Sequence, residues 1–254
     1  MGGVVQVKNV SIGEGVPKIC VSLVGKTLKE LQEEAQQLRT LDIDLVEWRV
    51  DYFEKLTELE KVIGALKEIR EILTDVPLIF TFRSAKEGGE QEISPADYIQ
   101  LNKAIVETGL VDIIDVELFN AAATVKTLVG HAHEHHVFVI LSNHDFQATP
   151  DKDELIARLK KAQELGADIP KIAVMPTKKA DVLTLLDATL AMKEQFATRP
   201  IITMSMAGTG VISRLSGEIF GSAITFGAAK QASAPGQIPI RELRQILALL
   251  HKSL

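Results

Sequence analysis

Lys171 stands in the segment ADIPKIAVMP, an ammonium at the head of an apolar, strand-like run. Burial disfavours the charged form of an amine, so a lysine in that setting can be driven toward the neutral nucleophile that condenses with a ketone. The structural alternative is a strand-end lysine that lays its stem along apolar surface and keeps its head in water. His144 closes a second apolar run, HVFVILSNHD. An imidazole there is either structural or, if a carboxylate orients it, a general acid and base. Glu87, Asp115 and Asp145 are the candidate carboxylates.

Further polar groups fall at alternate positions of strand-like runs. Side chains alternate across a strand, so in IDLVEWRVD Glu47, Arg49 and Asp51 share one face and Val46, Trp48 and Val50 the other. Charges facing an interior are costly unless they pair or bind a ligand; structural ion pairing explains these three as well as ligand binding does. In PLIFTFRSAKEGGE, Thr81 and Arg83 lie opposite Phe80 and Phe82, ahead of a glycine-containing loop with Glu87 and Glu90. Ser142 shares a face with His144. In PIITMSMAGTGVISR, Met204 and Met206 share a face before the chain turns through Gly208 and Gly210 to Arg214; methionines so spaced are commonly core. FGAAKQASAPGQIP carries small residues, Ser233, a Pro235-Gly236 turn and Gln237. Such a loop approaches a ligand or simply connects two elements.

Strand-like runs at 18–24, 44–51, 77–84, 112–118, 136–143, 170–175, 200–206 and 223–228 alternate with amphipathic stretches such as TLKELQEEAQQLRTL, LTELEKVIGALKEIREIL, SPADYIQLNKAIVETG, DKDELIARLKKAQELG and IRELRQILALLHKSL. Ser94-Pro95 is a helix start, and Gly109 and Gly166 are stops. No linker or charge block divides the chain, so residues 1–254 are expected to form one domain. Eight β-then-α units in this length predict an α/β fold of the (β/α)8 TIM barrel type, although a doubly wound open sheet alternates similarly. The opening VVQVKNVSIG is expected to form a β-hairpin closing the bottom of the barrel. Barrel sites are built at the C-terminal ends of the strands, where Arg83 and His144 fall. Lys171 opens its run, so its long side chain has to rise inside the barrel to join them.

The 254 residues are 46% hydrophobic, ample for a core, and the net charge of −6 with a pI near 5.6 argues against a nucleic-acid partner. One cysteine, Cys20, excludes an intramolecular disulfide and suits a reducing compartment. The N-terminal segment lacks a basic start and a long apolar stretch, and no run is long enough to span a bilayer, so a cytoplasmic protein without membrane partners is expected. HAHEHH places His131 and His135 on one helical face, but it leads directly into a strand, at the end opposite the site, and reads as a solvated helix end, not a metal site. The glycines form no dinucleotide or phosphate-loop pattern.

In order and spacing, VEWRVD, FTFRSAKEGGE, SNHDF, DIPKIAVMP, TMSMAG with ISRLSGE, and SAPGQ resemble the type I 3-dehydroquinate dehydratase family over nearly the whole chain. That resemblance implies a homodimeric barrel with no metal or cofactor. Its substrate would be 3-dehydroquinate, dehydrated to 3-dehydroshikimate through a lysine imine, the third step of the shikimate pathway to chorismate and aromatic amino acids. By the same resemblance Lys171 is the Schiff-base lysine, His144 the general acid/base and Glu87 the residue that orients it. Arg214 would meet the substrate carboxylate, with Ser233 and Gln237 closing over it. Glu47, Arg49 and Arg83 would hold the ring hydroxyls and one another, Ser22 would add a contact, and Met204 and Phe226 would supply apolar wall. AGTGVISR is glycine-rich where family members often carry a charge, which bears on loop mobility. Two readings compete: an imine-forming aldolase on the same barrel, for which AGTG is a poor phosphate loop, and a hydroxy-acid binding protein that leaves Lys171 inactive.

Overall fold

The computed structural model describes residues 3–229 and 234–254. Two short strands, β1 (Val5–Val7) and β2 (Val10–Ile12), pair antiparallel as a hairpin. Seven parallel strands then pair in chain order: β3 (Lys18–Leu23), β4 (Leu45–Arg49), β5 (Leu78–Thr81), β6 (Ile113–Glu117), β7 (Phe138–Asp145), β8 (Ile169–Val174) and β9 (Ile202–Ser205). An eighth, β10 (Ile224–Ala228), returns to pair with β3. Every expected strand is present, within one to three residues of the expected bounds at most ends.

The seam that closes the barrel is unusual. One edge of β10 is taken by β3, and the other is shared. Just before β10, Ala223 N–H donates to Ile201 O at 2.8 Å. The Ser222 hydroxyl receives Thr203 N–H at 3.0 Å and donates to Thr203 O at 3.1 Å, doing the work of a strand backbone. At its far end β10 pairs instead with a two-residue strand, β11 (Ile238–Pro239). The seam is therefore filled at the mouth by β11.

Helices α1 (Leu28–Leu38), α2 (Leu59–Ile72), α3 (Pro95–Glu107), α4 (Ala122–Glu134), α5 (Lys152–Glu164) and α6 (Lys179–Ala191) each connect consecutive strands. Two short helices, α7 (Val211–Leu215) and α8 (Gly217–Phe220), precede β10, and α9 (Ile240–His251) ends the chain. Their buried residues follow the helical period, as with Leu31, Ala35 and Leu38 of α1 and Ile240, Leu243 and Leu247 of α9. Ser94 caps α3 by accepting Asp97 N–H, with Pro95 in the first turn, and Gly109 and Gly166 stand just past α3 and α5 with positive φ. Among the described residues no helix is long and apolar enough to cross a membrane.

Inside the barrel the two-residue period builds horizontal layers. The lowest contains Cys20, Leu45, Ile79, Ile113, Ile140, Ile169, Ile202 and Ile224, in one buried cluster with Val5, Val7 and Ile12 of the hairpin. Two residues further along each strand stand Ser22, Glu47, Thr81, Asp115, Ser142, Lys171, Met204 and Phe226. The outward residues, among them Val46, Trp48, Phe80, Phe82, Val116 and Leu141, join the cluster shared with the helices. The floor is thus apolar and plugged, and the layer above it is polar except at Met204 and Phe226. HAHEHH runs from the end of α4 toward the foot of β7, where His133 Nε2 lies 2.8 Å from Asp168 just ahead of β8.

Candidate active site

Lys171 is only 4% exposed. It pairs in register with Ser142, whereas His144 pairs with Ala173, so Lys171 starts one layer below the imidazole and its side chain rises toward it. Its Nζ lies 3.3 Å from Asp115 Oδ2, 3.9 Å from Glu47 Oε1 and 4.7 Å from the centroid of the Phe226 ring. The exposed, barrel-bottom alternative for this lysine is excluded.

His144 comes from the end of β7. Its Nδ1 lies 3.0 Å from Glu87 Oε2, and the same oxygen accepts the His144 backbone N–H at 2.9 Å. Glu87 sits in a single 3-10 turn, Ala85–Glu87, ended by Gly88 at φ 85°, where an added Cβ would overlap the Phe146 ring. Burial pushes the Glu87 carboxyl up to about 7, against the pull of Arg83. Burial, reinforced by the cations of Arg83, Lys171 and Arg49, holds His144 well below the usual imidazole range. The ring is therefore neutral; with Nδ1 donating to Glu87, Nε2 keeps the basic lone pair. Of the three carboxylates considered for His144, Glu87 fills the place. Asp145 instead accepts the N–H groups of Gln147 and Ala148, and Asp115 faces Lys171.

The arginines differ in how fully they are engaged. Arg49 grips Asp51 through two 2.8 Å hydrogen bonds, so Asp51, in the turn after β4, is an internal partner and not part of the pocket lining. Arg83, two residues past β5, donates to Asp115 Oδ1 at 2.7 Å and to Glu117 Oε1 and Ser142 Oγ at 3.0 Å each. Glu47 accepts from Ser22 Oγ at 2.6 Å and Thr81 Oγ1 at 2.9 Å. Arg214, on α7 and 2% exposed, has no carboxylate in ion-pair range among the described residues. It donates to Pro235 O at 3.0 Å, its Nη1 lies 3.6 Å from Met204 Sδ, and its Nε is buried without a partner. Burial pushes this guanidinium down to about 10, so it remains cationic at neutral pH.

One pocket gathers Lys171, His144, Glu87, Glu47, Arg49, Arg83, Met204, Phe226 and Gln237. Ser22 stands behind Glu47, and Arg214 behind Met204 and Pro235. Ser233 lies outside the described residues. Phe146 and Ala234 also line the pocket without having been singled out, and Met206, weighed as a core methionine, joins them. The larger omissions were Asp115, weighed only as a partner for His144, and Glu117. DIIDVELF signals both by the alternation that marked Glu47 and Arg49: carboxylates two apart in an otherwise apolar strand. A buried amine and a neutral imidazole with an oriented tautomer in one cavity, and behind its Met204 wall a cation with no carboxylate partner among the described residues, suit a small anionic carbonyl compound.

Comparison with known proteins bears on the same site. The profile of the family described as type I 3-dehydroquinase matches residues 19–254. A 3-dehydroquinate dehydratase of Bacillus licheniformis is 61% identical over 254 residues, covering 100% of both chains. One from Salmonella typhimurium is 60% identical over 249 residues, 98% of this chain and 99% of that one. Among solved structures, the type I 3-dehydroquinate dehydratase from Clostridium difficile with covalent modified comenic acid superposes with a TM-score of 0.98 at 57% identity, covering 100% of both chains.

Proposed function

The chain belongs to the type I 3-dehydroquinase family, whose activity is the hydro-lyase dehydration of 3-dehydroquinate, and we propose that it performs this reaction through a Schiff base on Lys171 with His144 as general acid and base. The observation that carries this reading is the gathering of Lys171, Glu47 and the His144–Glu87 pair around one cavity, with Asp115 3.3 Å from Lys171 Nζ.

In this mechanism the Lys171 amine attacks the C3 ketone; the Nζ–C3 bond forms and water leaves as the iminium is made. The iminium is an electron sink, which lowers the cost of removing a proton from C2. His144 Nε2 takes that proton, and its electron pair flows toward C3 and nitrogen. The imidazolium then protonates the C1 hydroxyl as that group departs, the C1–C2 double bond forms, and water hydrolyses the imine to release product and free Lys171. One imidazole serving both positions makes the elimination syn. Glu87 fixes the tautomer that leaves Nε2 basic.

Arg214 is the cation for the substrate carboxylate. Glu47, Arg49 and Arg83 meet the ring hydroxyls, with Ser22 acting through Glu47, and Met204 and Phe226 form the apolar wall. Gln237, with Ser233, closes the mouth from the last loop. The covalent ligand of the Clostridium difficile relative is in keeping with a nucleophile in this cavity. Family membership also supports the third step of the shikimate pathway, a cytoplasmic site and a homodimer, the last tested by sedimentation equilibrium.

The deciding experiment is incubation with 3-dehydroquinate and borohydride, followed by mass spectrometry and peptide mapping. A reduced adduct on Lys171 is expected. Enone formation by a folded protein that yields no adduct would refute the imine route.

A further inference from the structure

Asp115 is fully enclosed, 0% exposed at the centre of β6. Its two oxygens are used differently. Oδ1 accepts Arg83 Nη2 at 2.7 Å and Ser142 Oγ at 2.6 Å, which fixes the carboxylate plane. Oδ2 has one hydrogen-bond partner among the described residues, the Lys171 amine at 3.3 Å. The other nearby carboxylate is farther away and already engaged: Glu47 Oε1, 3.9 Å from Nζ, accepts the Thr81 hydroxyl at 2.9 Å.

An imine works as an electron sink only while its nitrogen is protonated. In a buried pocket a lone iminium is destabilised by desolvation and sheds its proton. We propose that Asp115 is the counter-ion of the Schiff base: its Oδ2 accepts the single N–H of the iminium on Lys171 and keeps that nitrogen protonated while His144 works at C2 and C1. This inference rests on the Schiff-base reading above. Asp115 exchanges no proton in the cycle. When the Nζ–C3 bond forms and the C3 oxygen leaves as water, the nitrogen retains one proton, and that proton stays on it through the elimination until hydrolysis.

The surroundings suit a permanent anion. Although burial opposes it, Arg83, Lys171 and the Ser142 hydroxyl hold the Asp115 carboxyl below its ordinary range. The charged and titratable groups around the Asp115–Lys171 contact are Glu47 from β4, Arg83 beyond β5, Glu117 from β6 itself, His144 from β7 and Cys20 from β3. Of these, only Asp115 and Glu47 bring negative charge within 4 Å of Nζ.

The test compares wild type with Asp115→Asn and Asp115→Glu by borohydride trapping, by kcat across pH and by thermal melting. Trapping on wild type comes first: no adduct on Lys171 means that the Schiff-base reading has failed and the counter-ion with it. With that adduct in hand, Asp115→Asn is expected to lower kcat by about 100-fold, in the range for losing one preorganised electrostatic partner. The alkaline limb of kcat should also move to lower pH, with KM changed only a few-fold. Asp115→Glu, which keeps the charge, should recover at least about tenfold of the lost kcat, which a purely structural role does not predict. A folded Asp115→Asn with wild-type kcat and an unmoved alkaline limb overturns the inference and leaves the Schiff base standing. Should Asp115→Asn not fold, 15N NMR of lysine-labelled wild type with excess product decides. An imine nitrogen protonated across the whole kcat plateau supports the counter-ion; one that deprotonates within the plateau overturns it.

Discussion

Lys171 and His144 sit on adjacent strands, one layer apart, and the proposed division of labour builds on that offset. Lys171→Ala should yield no reduced adduct and no measurable turnover. His144→Ala should still be trapped as an adduct on residue 171 while turnover falls by roughly 10²–10⁴-fold, the usual weight of general acid–base catalysis; an equal loss of trapping would place His144 in imine formation alone. Arg214→Ala removes the one buried cation lacking an anion among the described residues. Charge-assisted hydrogen bonds are worth about 1.5–3 kcal/mol, so KM for 3-dehydroquinate should rise by roughly 10–150-fold, read from steady-state kinetics.

Glu87 gives a stability prediction with a definite sign. Its carboxyl titrates near 7 in the fold, above the ordinary carboxylate range. Between those values the folded chain holds a proton that the unfolded chain has released. Raising the pH through that window therefore costs stability, with the full cost present above about pH 7. His144 acts in the opposite sense, since its folded form stays neutral where an unfolded imidazole would charge; stability is lost as pH falls through the ordinary imidazole range. Glu87→Gln should thus gain stability relative to wild type as pH rises from about 5 to 8, read as urea midpoints at both ends. A gap that is constant across that range would show that the carboxyl titrates normally.

At the scale of elements, start signals and turns separate stability from catalysis. Ser94 caps α3 by accepting Asp97 N–H at 3.1 Å. Ser94→Ala should cost ~1 kcal/mol, or a Tm lower by about 2–4 °C for a chain of this size, with kcat unchanged. Gly88→Ala should behave differently. The left-handed backbone there and the overlap with Phe146 together call for roughly 1–3 kcal/mol, and the displaced ring lines the pocket beside Glu87. Both Tm and kcat should fall. Elements of this kind were legible in the sequence because their signals are local: a capping serine, a proline in the first turn, a glycine past the last. β11 was not, since two residues carry no periodicity and its pairing depends on where β9 leaves the seam free.

For the whole molecule, the hairpin and the barrel floor are one apolar unit beneath a polar one. Burying a large aliphatic side chain is worth about 1.5–3 kcal/mol, and Val5, Val7 and Ile12 are all buried on that floor. Replacing Val7 with Asp should lower Tm by several degrees while leaving KM near wild type, because the hairpin is separated from the pocket by a full layer of apolar side chains. A large rise in KM without loss of Tm would contradict that separation.

The sequence by itself determined the eight strands, the faces they present and the order of their chemistry, because strand alternation and helix caps are set by neighbours in the chain. It also placed Lys171, His144, Glu47, Arg49 and Arg83 on interior faces. Only the tertiary structure decided which charge answers which. Asp115 was available to His144 by alternation alone, yet closure of the barrel set β6 two strands from β8 and turned its carboxylate to Lys171 and Arg83. Glu87 reached His144 because the turn ending at Gly88 folds back over the mouth. The physical reason is range: periodicity fixes which side a residue faces within a few ångströms of its own backbone, whereas the pairs Arg83–Asp115, Lys171–Asp115 and His144–Glu87 join residues 32 to 57 positions apart, and only curling of the sheet brings those to hydrogen-bonding distance.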